Sequence, residues 1–120
     1  PTLIDHLGRV RIADGLDAAP QRALLDLAAH PSVWIKLSGL DRVCPTPHDP
    51  TPAEPLVRRL LAVAAGRMTW GSDWPHTGWM SPADMPCDVD LFDAVLDLVP
   101  DPAQRVALMR DNPRRLLGLD

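Results

Sequence analysis

The sequence predicts an α/β fold built on a parallel sheet, and two observations carry that prediction. Three short β-rich runs, at residues 2–6, 33–38 and 68–71, begin about 30–35 residues apart, which is the length of one strand-plus-helix unit. Each run is followed by a segment with helical periodicity, and strands that alternate with helices favour parallel pairing with helical crossovers. The three units share no motif, so the order β-α-β-α-β-α-α is not a sequence repeat.

The first strand reads TLIDH and ends on Asp5 and His6. A helix over 20–30 follows, with Pro20 at its first helical position, where the missing N–H costs nothing. Ala23, Leu24, Leu27 and Ala28 fall on one face of it. The second strand, VWIKLS, is rich in β-branched and aromatic residues. Residues 40–51 form a Pro-rich loop, and a helix over 52–65 places Leu56, Leu60, Leu61 and Ala64 at i, i+4, i+5 and i+8. Gly66 is placed to stop that helix. The third strand, MTWG, runs into a second long loop over 72–88. A helix over 89–99 then carries a broad apolar stripe (Leu91, Phe92, Val95, Leu96, Leu98, Val99) and ends at Pro100. Asp101 is an N-cap for a short helix over 102–110, and 111–118 adds a final turn or two.

Composition narrows the function. Twelve basic residues against sixteen acidic ones give a net charge of −4, the opposite of the basic stripe of a nucleic-acid-binding module. No apolar run reaches the roughly 18 residues of a membrane span, and the opening residues lack a signal-peptide pattern. Two cysteines without a CxxC pair do not make a disulfide framework. A cytoplasmic location is the resulting expectation. The phosphate-cradling glycine loops, the HExxH helix and the GxSxG elbow are all missing from the sequence.

In α/β sheets the loops leaving the C-terminal strand ends build the binding site, and both long loops leave such ends. Parallel strands therefore bring His6, Arg42 and Asp73 to one mouth. A histidine, an arginine and an aspartate meeting there can polarise a carbonyl, hold an anion and activate water, which is a hydrolytic constellation in outline. Each residue also has a plainer reading. His6 alone reads as a core histidine bonded to a carbonyl, and Asp73 as an Asx residue capping the turn before Trp74 and Pro75. Arg42 reads as a surface partner of Asp41 or Asp49, His76 as a solvated loop residue, and Arg9 as a surface charge. It is their convergence on one edge that favours chemistry. His30 sits at a helix C-terminus, where a cation suits the dipole. His48 reads as an exposed loop residue, Cys44 as a bystander, and Lys36 as a mid-strand residue of open role. Trp74 and Trp79 are candidate pocket walls.

Four segments, IDHLGR at 4–9, WIKLSGLDR at 34–42, WGSDWPH at 70–76 and DNPRRLLG at 111–118, occur together in an order and spacing that resembles the C-terminal part of the amidohydrolase-related family. The branch most similar to it is the lactonases acting on 2-pyrone-4,6-dicarboxylate and related lactones. The resemblance covers essentially the whole chain. It implies the last three βα units of a (β/α)8 barrel and a hydrolase acting on a carboxylated cyclic ester. It casts Asp73 as the group that handles the proton of the attacking water. His6 is cast as the group that polarises the carbonyl, or that ligates metal together with Asp73 where a metal is used. Arg42, His76 and Arg9 match positions that hold substrate carboxylates, consistent with guanidinium geometry. The branch implies no cofactor, with one divalent ion, zinc or manganese, as the alternative. The expected partner is a small carboxylated molecule, not nucleic acid or a membrane.

The chain departs from the family in two ways. It has no His-x-His pair, and its 120 residues fall well short of the roughly 250 of such a barrel. The expectation is a C-terminal fragment of one barrel domain, spanning 1–120, whose partner is the missing N-terminal half. Alone it should be marginally folded, oligomeric or aggregation-prone, and inactive, because three strands leave open edges and bury little apolar surface. The alternatives are a metal-dependent decarboxylase or lyase of the same superfamily, and a short non-catalytic protein.

Overall fold

The computed structural model describes residues 1–119. Three strands, β1 (Thr2–Ile4), β2 (Val33–Leu37) and β3 (Met68–Trp70), form one sheet in the order β1-β2-β3 with both pairs parallel. Six helical segments accompany them: α1 (Ala19–Ala29), α2 (Leu40–Val43), α3 (Glu54–Ala64), α4 (Asp88–Leu98), α5 (Pro102–Val106) and α6 (Asn112–Leu117). The predicted α/β class and the parallel sheet are therefore present, and no helix among the described residues is long and apolar enough to cross a membrane.

Register decides which side chains meet the helices. Ile4 is paired with Ile35, Ile35 with Met68, and Leu37 with Trp70, and paired residues in a parallel ladder share a face. Ile35, Leu37 and Met68 are completely buried among Leu24 and Ala28 of α1, Leu56, Val57 and Leu60 of α3, and Leu91 and Val95 of α4. Trp70 meets Phe92 of α4 edge-on, with ring centroids 5.7 Å apart. The opposite face carries Leu3, Trp34, Lys36 and Thr69. Leu3 is 41% exposed there, and Lys36 pairs with Asp5 at 3.1 Å. β1 and β3 each pair on one side only among the described residues, so both edges of the sheet are open as expected.

The boundaries differ from the sequence reading at the strand ends. β1 stops at Ile4, because the chain then enters a tight turn, His6–Arg9, with left-handed backbone at His6, Leu7, Gly8 and Arg9. The segment 40–51 is not structureless. Gly39, at φ 62, reverses the chain directly into the single turn of α2. A β-carbon on Gly39 would also lie 2.9 Å from His6 Nδ1, so this position combines a left-handed backbone with a close approach that only glycine allows. α3 ends at Ala64, two residues before Gly66. The predicted helix over 102–110 is α5 followed by a wide π turn, Ala107–Asp111, which leads into α6. Asp101 caps α5 as expected, its carboxylate accepting from the Ala103 N–H at 2.9 Å.

The C-terminal DNPRRLLG segment is a fastener. Asn112 is buried, and its amide donates to the carbonyls of Ala65 and Met68 at 2.8 Å each. Arg115 donates to the Gly66 carbonyl and to Asn112 Oδ1, and its guanidinium lies 5.5 Å from the centre of the Trp34 ring. At the same end of the sheet Arg67 donates to the carbonyls of Ala28, His30 and Val33. These contacts tie α1, β2, β3 and α6 together at the end opposite the candidate site.

Two tests follow from this packing. Asn112→Ala removes the side-chain donor from the buried Met68 carbonyl and the half-buried Ala65 carbonyl, so unfolding free energy should fall by about 2–3 kcal/mol in chemical denaturation. The thiols should also behave unequally. Burial, reinforced by the Asp49 and Asp41 carboxylates, pushes the Cys44 thiol up from 9.0 to about 11, whereas Cys87 is exposed. A disulfide reagent at pH 8 should titrate one thiol per native chain and two per denatured chain. The folded thiol holds its proton where the unfolded one loses it, so Cys44 also draws stability down as pH rises from about 9 to about 11.

Candidate active site

The three strands run the same way, so their C-terminal ends share one edge, and each exit delivers a polar side chain to it. The turn after β1 presents His6, Gly39 and α2 after β2 present Ser38, Asp41 and Arg42, and Gly71 after β3 leads to Asp73. His6 Nδ1 and Ser38 Oγ are hydrogen-bonded at 2.9 Å. His6 Nε2 lies 3.5 Å from Asp73 Oδ1, too far for a direct hydrogen bond but close enough for strong electrostatic contact. Arg42 Nε donates to the other oxygen, Asp73 Oδ2, at 2.7 Å. The side chains of His6, Asp73 and Arg42 are between 14% and 19% exposed, so the cluster is sheltered but open to a ligand.

This arrangement divides the Asp73 carboxylate into two unlike oxygens. Oδ2 is occupied by a guanidinium, while Oδ1 faces an imidazole across a gap. When Ser38 donates to Nδ1, the His6 proton sits on Nε2 and is directed at Oδ1 and the space beside it. A group bound in that space meets a proton donor and a carboxylate acceptor together.

Backbone strain marks the same place. Among the described residues, five non-glycine residues have left-handed φ: His6 at 50°, Leu7 at 50°, Arg9 at 53°, Asp73 at 69° and His76 at 55°. Such conformations cost about 1–3 kcal/mol each and collect at functional sites. Four of the five are residues singled out from the sequence.

The structure distributes the predicted residues unevenly. His6, Asp73 and Arg42 come together. Arg42 is bonded to Asp73, so its plainer reading as a surface partner of Asp41 or Asp49 does not hold. His76 is buried rather than solvated, and its Nε2 engages Asp88 Oδ1 at 3.1 Å, which fastens the loop after β3 to the start of α4. Arg9 is exposed, three residues past His6, and stands apart from the hydrogen-bonded cluster. Trp74 is 74% exposed, whereas Trp79 turns inward and donates from Nε1 to Asp41 Oδ2 at 2.7 Å. Ser38 and Asp41 stand at the second strand's C-terminal end, where functional groups collect, but sequence alone assigned neither of them a role. A groove of about 350 Å³ lined by Arg58, Leu61, Asp97 and Gln104 lies in the helical layer, away from these groups.

The residues present do not by themselves make a metal centre. No group of three or more His, Cys, Asp or Glu side chains is placed to hold an ion among the described residues. His6 and Asp73 provide two donors, one fewer than the protein ligands of a catalytic zinc. A guanidinium already occupies Asp73 Oδ2, which leaves Oδ1 and His6 Nε2 as the donors this cluster offers.

Comparison with known proteins gives the family. The amidohydrolase family profile matches residues 1–119. The chain is 43% identical to a 4-sulfomuconolactone hydrolase from Hydrogenophaga intermedia, over 98% of its own length and 39% of that protein's. It is 30% identical to a 2-pyrone-4,6-dicarboxylate hydrolase from Comamonas testosteroni, over 95% of its length and 40% of that protein's. Among solved structures, a Pseudomonas putida protein named provisionally as a 2-pyrone-4,6-dicarboxylic acid hydrolase superimposes with a TM-score of 0.84 at 31% identity. That match covers 98% of this chain and 43% of that one. A probable hydrolase of the same name from Acinetobacter baumannii, solved with citric acid bound, gives a TM-score of 0.80 at 28% identity, covering 97% and 43%. The chain thus spans about two fifths of the length of the curated relatives it matches. Family profile, relatives and sheet geometry agree, and the chain belongs to the amidohydrolase family.

Proposed function

We propose that this chain supplies the last three βα units of a (β/α)8 barrel and, with them, the water-activating side of a site that hydrolyses a carboxylated lactone. The observation that carries this reading is the convergence of His6, Asp73 and Arg42 within 3.5 Å contacts at one strand edge. Most of the named relatives are lactone hydrolases, which supplies the class of bond; one is a D-galactarolactone isomerase, also a lactone enzyme. The citric acid held by the Acinetobacter baumannii neighbour suits a site that receives carboxylates.

The reaction follows from the roles the geometry offers. The lactone carbonyl lies against His6 Nε2, whose proton meets the oxygen as negative charge develops on it. Water placed between the substrate and Asp73 Oδ1 attacks the carbonyl carbon, and Oδ1 takes its proton. When the ring C–O bond breaks, the same carboxyl returns that proton to the departing alkoxide. The product is an open-chain hydroxy acid. Arg42 holds Asp73 through Nε and keeps its terminal nitrogens for a substrate carboxylate. Arg9, exposed on the turn that carries His6, receives a second acid group, and buried His76 holds the loop that presents Asp73 to the attacking water. Every step uses the side chains of this chain, and the turnover belongs to the barrel that contains them.

Replacing Asp73 by Asn removes the proton acceptor while keeping the side-chain shape. In the intact enzyme, kcat on a dicarboxylated pyrone lactone should fall about 10³-fold or more, with the melting temperature little changed. Assayed beside simple aromatic acids, the unmodified enzyme should open the lactone, measured as loss of ring absorbance, and release no carbon dioxide. Decarboxylation without lactone opening, or near-normal turnover by the Asn variant, would overturn the reading.

A further inference from the structure

We infer that Trp79 and Asp41 are a positioning pair that directs the Arg42 guanidinium onto Asp73. The inference deepens the proposal above and rests on it. Arg42 Nε lies between two carboxylates. One is Asp73, bonded at 2.7 Å, and the other is Asp41, whose Oδ2 is 4.0 Å away. Asp41 is the neighbour in sequence, and its side chain is wholly buried, so an unpaired Asp41 carboxylate would compete strongly for the guanidinium. The competing oxygen is instead filled from the other side, because Trp79 Nε1 donates to Asp41 Oδ2 at 2.7 Å. Asp41 Oδ1 has no hydrogen-bond partner among the described residues, so the indole N–H is the side-chain hydrogen bond this carboxylate accepts, and it falls on the oxygen that faces Arg42. With Asp41 Oδ2 occupied by the indole, Arg42 Nε is left to Asp73.

A second contact acts in the same direction. Gly78 packs directly on the guanidinium: a β-carbon there would overlap Arg42 Nη1 and stand 3.2 Å from Cζ. The loop after β3 therefore grips α2 at three successive points, Asp73 and Gly78 on Arg42, and Trp79 on Asp41. Neither Trp79 nor Asp41 is placed to touch the reacting atoms. They act through Arg42, and Arg42 acts on the base and the substrate.

The pair is tested by a double-mutant cycle in the intact enzyme. Trp79→Phe keeps an aromatic ring, though a smaller one, and removes the N–H. Gly78→Ala loses no hydrogen bond and only crowds the guanidinium, so it serves should the Phe variant fold poorly. Each should lower kcat/KM on the carboxylated lactone by about tenfold to a hundredfold, the usual consequence of shifting a catalytic group by about 1 Å. In an Arg42→Met background, itself strongly impaired, neither change should lower kcat/KM further by more than about twofold. Losses that multiply with that of Arg42→Met would overturn the inference and leave the lactonase reading standing. Normal turnover by Arg42→Met would instead remove the role of Arg42 in catalysis, and the inference with it.

Discussion

Parallel pairing of three strands is the constraint on which everything else in this chain depends. Parallel strands place all their C-terminal ends on one edge, so side chains more than 30 residues apart in sequence become neighbours without any further device. His6 reaches Ser38 and Asp73, and Arg42 reaches Asp73, because the register pairs Ile4 with Ile35 and Leu37 with Trp70. An antiparallel arrangement of the same strands would send at least one of these exits to the opposite end.

The two ends of the sheet are built from different materials. At the N-terminal end Arg67, Asn112 and Arg115 donate to backbone carbonyls, so their polar atoms are consumed in holding elements together. At the C-terminal end the polar groups bond mainly to one another through side chains, and several sit on left-handed backbone. Satisfied main-chain clasps stabilise, whereas strained residues with unspent bonding capacity cost stability and are available for chemistry. The segments that mark the family divide along the same line. The IDHLGR, KLSGLDR and WGSDWPH stretches leave the C-terminal ends, and the DNPRRLLG stretch closes the other.

Glycine does unusual service at the site. Gly39 clears His6, Gly71 clears the Lys36 stem, whose Cε would lie 2.6 Å from an added β-carbon, and Gly78 clears Arg42. Each is a place where backbone passes against a functional or charged side chain, and each lies within or just beyond a segment that carries the resemblance. Their role in the geometry is to let the long side chains His6, Lys36 and Arg42 lie flat against neighbouring backbone.

The sequence by itself determined the α/β class, the three strands, most helix positions, and the residues His6, Arg42 and Asp73 as a group. Those features follow from periodicity, capping residues and strand-end placement, which are local or depend only on the direction of the strands. What only the tertiary structure decided was how these residues are shared. That Asp73 is bonded by Arg42 rather than left free, that His76 reaches Asp88 through Nε2, and that Trp79 turns inward to Asp41 while Trp74 stays in solvent depend on contacts across 12 to 38 residues of chain. So does the reversal at Gly39, which turned an expected loop into α2. Such pairings are set by the backbone path of a turn and by the packing of one loop on another, and neither leaves a periodic trace in the order of the amino acids.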